Sequence, residues 1–219
     1  MAMEHWRKAQ ENQGNLFGSM VAGLLMKKFG DVPLPVERIL PRFSPEASKK
    51  LSKLGYKIYP LTGQSIKDLL DAGRPIYTNW RKGDPIEEMR SCLHEVAINP
   101  SQLFPPNLYG ETPEEQEELM KIYSRGFQIK HRITGVKGII GEMPDYVETF
   151  LEHFKSTGEH LLSNPNDKSV LTKTKVGDLT LRVNELNVNN DYGLNVTYWP
   201  NDCFYSLGGL IAPLIVPTA

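Results

Sequence analysis

The stretch that decides the fold reads Tyr56-Lys57-Ile58-Tyr59-Pro60-Leu61, then Thr62-Gly63-Gln64-Ser65-Ile66-Lys67-Asp68-Leu69-Leu70-Asp71-Ala72-Gly73, then Arg74 and Pro75-Ile76-Tyr77-Thr78-Asn79-Trp80. The first and third parts have strand composition. Between them Ile66, Leu69 and Leu70 fall three and four apart, which places them on one face of a short helix. Thr62 is the expected N-cap of that helix. Gly73 is suited to its C-terminal turn, where a left-handed residue closes the helix without a Cβ penalty.

Working outward, the same alternation recurs. A turn at Lys82-Gly83-Asp84-Pro85 and a short helix lead to a third predicted strand, Cys92 to Ile98, ended by Asn99-Pro100. Thr112-Pro113-Glu114-Glu115 has the form of a capping box with proline at the first helical position. The helix it opens runs at least to Arg125 and as far as His131. A fourth strand follows at Gly135 to Ile140. Pro144 and Asp145 then start a helix with Val147, Phe150, Leu151, Phe154 and Leu161 on one side. Strands alternating with helices predict an α/β body with a short mixed or parallel sheet and flanking helices, an α+β arrangement being the alternative.

Upstream, Phe17, Met20, Val21, Leu24, Leu25 and Phe29 make an apolar stripe, predicting a helix over 15–29 that Gly30 and Asp31 stop. Core packing suits it better than a membrane surface, because Lys27 and Lys28 are its only nearby cations. A proline-rich connector spans 31–45, and Ser44 before Pro45 opens a lysine-rich helix to about Leu54.

Downstream, the composition changes after Ser163-Asn164-Pro165-Asn166-Asp167. Leu179, Leu181 and Val183 alternate with polar residues, Asn189-Asn190-Asp191 and Gly193 mark a hairpin, and Leu194, Val196 and Tyr198 follow. These predict a C-terminal antiparallel β unit. The run Leu207 to Val216, interrupted by Pro213, reads as its terminal edge strand, since proline removes a ladder donor. The chain thus divides into a helical arm and connector (1–54), an α/β body (55–163) and a strand-rich unit packed on it (164–219).

With 219 residues, 40% apolar and 23% charged, the composition is that of a globular protein and argues against disordered, collagenous and disulfide-rich classes. Formal charge is −1, but it is unevenly placed: +5 over residues 1–60, −5 over 61–160 and −1 over 161–219. That pattern favours solvated faces or docking between proteins over polyanion binding. Leu16 to Met26 is too short to span a bilayer, which takes about 20 apolar residues. Glu4 and Glu11 precede it and no small-x-small site follows before Lys27, so no secretory signal is expected. Cytoplasm is the default address, and Cys92 and Cys203 are expected to be buried thiols.

Several patterns bear on chemistry. Gly135, Gly138 and Gly141 lie around a strand leading into a helix, but the spacing is not a dinucleotide fingerprint, and Glu142 and Asp145 would repel an anion. Glycines relieving strand–helix crowding are the simpler explanation. If the sheet is parallel, its strand ends gather Thr62, Ser65, Trp80, Arg81, Asn99 and Glu142 along one edge, where open α/β sheets bind ligands. There Trp80 offers a stacking face, Arg81 a cation and Glu142 an acid or base. Cys92-x-His94 puts thiol and imidazole on one strand face; a zinc or nucleophile role would need His131 or Cys203 nearby, and a core histidine is favoured. His153 and His160, two helical turns apart, read as solvated. Asn187, Asn189 and Asp191 fail the calcium-loop pattern.

No metal or cofactor is therefore expected. A non-catalytic binding or structural protein, self-associating or meeting a protein partner, is the favoured function. A small-molecule enzyme using the strand-end edge is the alternative. Nucleic-acid binding through Lys49, Lys50, Lys53 and Lys57 comes third.

Overall fold

The computed structural model describes residues 42–78, 80, 83–91, 93–106, 108, 113–162, 169–177, 179–188, 191–200 and 210–218. The predicted helix over 15–29 and the connector up to residue 41 lie outside them. Helix α1 (Pro45–Lys53) begins as its sequence dictates: the Ser44 hydroxyl accepts from the Ala47 amide at 3.1 Å, and Pro45 needs no hydrogen-bond partner for an N–H it lacks. Strand β1 (Lys57–Pro60), helix α2 (Ile66–Asp71) and strand β2 (Ile76–Thr78) follow. Beyond a 3-10 turn at Pro85–Glu88 come β3 (Glu95–Ile98), a second 3-10 turn at Pro100–Gln102, and helix α3 (Pro113–His131). Strand β4 (Val136–Ile139) and helix α4 (Met143–Thr157) complete the predicted body, and β5 (Val170–Val176), β6 (Leu179–Val188), β7 (Asp191–Pro200) and β8 (Leu214–Pro217) close the chain.

The mixed α and β class is as predicted: among the described residues there are two four-stranded sheets and four α-helices. Strand direction departs from expectation. The first sheet, in the order β1-β3-β8-β4, is antiparallel throughout. In the second, β2-β7-β6-β5, only the β2–β7 pair is parallel. Periodicity identifies a strand but carries no direction, and the long connections between these short strands allow either sense.

Two further corrections concern position. Ser65, not Thr62, caps α2: its hydroxyl accepts from the Asp68 amide at 3.0 Å while the Asp68 carboxylate accepts from the Ser65 amide at 2.9 Å. And β8 is no edge strand. It lies between β3 and β4, with all four residues buried. Its prolines do not interfere, because Pro213 precedes the strand and Pro217 ends it. An apolar run without alternation is the mark of a strand covered on both faces.

The predicted hairpin is present, with β6 and β7 paired from Leu179↔Pro200 to Val188↔Asp191. Helix α4 sits at the centre of the molecule. Every residue from Met143 to Leu151 is buried, and the helix touches β1 of the first sheet and β5 and β6 of the second. Tyr146, Val147 and Phe150 join Val96, Leu214, Leu181 and Val196 in one apolar cluster that spans both sheets. A smaller cluster joins Phe43, Ala47 and Leu51 to Phe127 of α3 and to Ile133 just beyond its end.

Candidate functional site

A helical stretch buried all round, as Met143–Leu151 is, must satisfy each polar side chain it carries, because an unpaired buried donor or acceptor costs about 1–3 kcal/mol. On α4 the buried ones are Asp145, Glu148, Thr149 and His153. The Thr149 hydroxyl donates to the Asp145 carbonyl one turn back at 2.6 Å, while Asp145, Glu148 and His153 each take at least one partner from a distant part of the chain.

Glu148, 3% exposed, binds the loop that follows β1. Its Oε1 accepts from the Thr62 hydroxyl at 2.8 Å and the Gln64 amide at 2.9 Å; its Oε2 accepts from the Thr62 amide at 2.8 Å and, more distantly, the Gly63 amide at 3.4 Å. The carboxylate does for this loop what an anion does in a cradle of backbone amides. Asp145, equally buried, accepts from the Ser91 hydroxyl at 2.7 Å and the Glu142 amide at 2.8 Å. Burial pushes its carboxyl up to about 7 against the pull of those two hydrogen bonds, and the neighbouring Glu142 and Glu148 charges push the same way.

Glu142, half-buried at the N-cap of α4, meets the second sheet. The Thr174 hydroxyl donates to its Oε2 at 2.6 Å and accepts from the Met143 amide at 2.7 Å. Gly141 just before it is backbone-packed: a Cβ there would lie 2.5 Å from the Leu214 Cδ1 atom and 3.2 Å from Asp145. Gly138 would likewise press on Tyr123 at 3.3 Å. Both positions agree with glycines that relieve crowding rather than cradle phosphate.

At the other end of α4, His153 is 2% exposed and its Nδ1 lies 2.5 Å from the Tyr59 hydroxyl. Burial holds the imidazole below its ordinary range. The solvated-face expectation for His153 is therefore wrong, and Phe154, expected in the core, is 40% exposed and stacked on His160. The helix carries apolar residues on so many sides that its wheel admits both orientations.

The strand-end crevice does not form as expected. Lys57 faces Ile98 and Pro60 faces Glu95, so antiparallel pairing sends the ends of β1 and β3 to opposite ends of the sheet. Thr62 and Asn99 are thus separated. Asn99 instead starts the Pro100–Gln102 turn, accepting from the Ser101 amide at 3.1 Å and donating to the Leu54 carbonyl at 3.3 Å. Trp80 presents no open stacking face, being buried in the main core. Ser65 is consumed by its cap, and Arg81 lies outside the described residues. What the fold does bring onto one helix is Thr62, through Glu148, and Glu142. Sequence reasoning does not mark Asp145 and Glu148 as site residues; acids inside an otherwise apolar helix are the signal that finds them.

His94 is exposed and precedes β3 rather than lying in the core, and His131 packs on Phe127 at 4.9 Å. Cys92 and Cys203, needed for the cysteine–histidine constellation, lie outside the described residues, as does Asn189. Among the described residues no group of three or more His, Cys, Asp and Glu side chains is placed to hold a metal. Nor is any described helix long and apolar enough to cross a membrane. Compared with known proteins, the chain matches no protein family, no curated protein and no solved structure.

Proposed function

We propose that this chain is a non-catalytic binding or structural protein that works through protein contacts in the cytoplasm. The observation that carries it is the commitment of Glu148: both oxygens are taken by the Thr62–Gln64 loop, so the acid best placed at this junction is spent on joining β1 to α4. Ser65 and Asn99 are spent in the same way on caps. Sedimentation velocity over a range of concentrations, paired with a pull-down on the full chain, tests the proposal. Self-association or a retained protein partner is expected. A strict monomer that retains no partner contradicts it.

A second reading, a small-molecule enzyme or binder, rests on Asp145 and Glu142. A carboxyl held near neutrality beside a half-buried acid is the arrangement from which general acid–base chemistry is built. It predicts a ligand-induced rise in melting temperature that Glu142→Gln or Arg81→Ala abolishes. Nucleic-acid binding has less support, because Lys50 of the basic quarter is already paired with Glu46 at 2.8 Å and donates to the Arg132 carbonyl.

A further inference from the structure

Helix α3 buries Gln116, Met120, Ser124 and Phe127 on one side. Along the opposite side run Glu115, Glu118, Ile122, Arg125 and Ile129, all exposed and spaced three, four, three and four residues apart. That is the spacing of a seam along which one helix lies against another. Among the described residues, Ile122 at 59% and Ile129 at 79% are the most exposed large apolar side chains. The charges along the seam are sorted by sign: Glu115 and Glu118 precede Ile122, and Arg125 and the adjoining Lys130 follow it. A face that is acidic at one end and basic at the other complements a copy of itself turned end for end. A partner of uniform charge, whether acidic or basic, suits only half of it.

We propose that α3 pairs antiparallel with α3 of a second copy of this chain, about a two-fold axis at Ile122. The inference rests on the reading of the chain as one that works through protein contacts, and it names the surface and the partner. With the axis there, Ile122 meets its own counterpart. Glu118, four residues before the axis, comes level with Arg125 of the second copy, three residues after it, to within about 1.5 Å along the helix. Glu115 and Lys130 of the second copy match equally closely, and symmetry repeats both pairs. Gly126 falls opposite Glu118 of the second copy, and since a Cβ on it would meet nothing within 4 Å in its own chain, its bareness leaves room for that side chain. Within one chain Glu118 Oε2 meets Lys121 at 3.3 Å, an exposed pair of little worth that leaves Oε1 for the incoming guanidinium. Glu117, paired with Lys173 at 3.8 Å, lies off the seam and takes no part.

The test measures the monomer–dimer equilibrium of the full chain by sedimentation velocity over a range of concentrations. The wild type should dimerise reversibly, and Ile122→Asp should weaken the dimer by about tenfold or more, because it sets two carboxylates together on the axis. Glu118→Arg and Arg125→Glu should each weaken it by about tenfold, since each places like charges across the axis. The double variant, Glu118→Arg with Arg125→Glu, should restore the dimer, because the exchange recreates both ion pairs. A wild type that stays monomeric overturns the pairing; a pull-down that still retains another protein then leaves the broader reading standing, and one that retains nothing removes both. A dimer indifferent to Ile122→Asp, or one that the double variant fails to restore, overturns the pairing as well.

Discussion

Glu148 and Thr62, far apart in sequence, are joined by two hydrogen bonds of 2.8 Å, one from the Thr62 amide and one from its hydroxyl. With the Gln64 amide added, the carboxylate fixes the path of the chain between β1 and α2. Glu148→Gln keeps the shape but turns one accepting oxygen into a donor aimed at backbone amides. The change should cost about 2–3 kcal/mol in urea unfolding. Thr62→Val should cost less, because the amide bonds remain.

Asp145 gives the fold a pH dependence of definite sign. Its folded value is raised, to about 7, so between the ordinary carboxylate range and neutrality the folded protein keeps a proton that the unfolded chain has lost. Its contribution to stability is therefore greatest in acid, declines as pH rises through that window and levels off above it. Asp145→Asn, which stays neutral, should flatten the profile of melting temperature from pH 5 to 8. It should gain on the wild type toward the alkaline side, by an amount on the order of a few kcal/mol.

His153 works in the opposite direction. Its folded value is lowered by burial, so the neutral ring is stabilising above its unfolded value of about 6.5, and that contribution is lost as pH falls through the folded value. Tyr59→Phe removes the hydroxyl at 2.5 Å and leaves a buried ring nitrogen without it, a loss of about 1–3 kcal/mol. Proton NMR of the His153 ring should show a titration below that of an exposed histidine in the wild type.

Gly193 joins the two halves of the second sheet. A Cβ at this position would strike the Tyr77 ring and lie 2.8 Å from the Pro75 carbonyl oxygen, the acceptor of the Leu194 amide. Because that neighbour is backbone, the strain cannot be relieved by a rotamer change. Gly193→Ala should lose about 1–3 kcal/mol, with hydrogen exchange speeding first at the β2–β7 pairing.

The parts of the fold legible in sequence are those set by neighbours in sequence. Ser44-Pro45 starts a helix, Gly73 ends one at a positive φ, and the alternation around Leu181 and Val196 builds a hairpin. What was not legible depends on residues far apart. Nothing in Cys92–Ile98 says that β3 runs against β1, or that Leu214–Val216 will fill the place between β3 and β4. Thr62 has the composition of a cap, and only the arrival of Glu148 shows why the cap is Ser65. For the candidate site, the sequence marks Thr62 and Glu142, while the acids that tie them to the fold, Glu148 and Asp145, owe their roles to the burial of Met143–Leu151 between the two sheets, which depends on strands far away in the chain.

The most direct measurement is a thermal-shift screen of the full chain against a broad metabolite and nucleotide set, run beside Glu142→Gln. If the polar groups at the start of α4 are committed to the fold, no compound raises the melting temperature of the wild type in a way that Glu142→Gln abolishes. A compound that raises it reproducibly, and loses that effect in the variant, would contradict the structural role and make the α4 junction a ligand site.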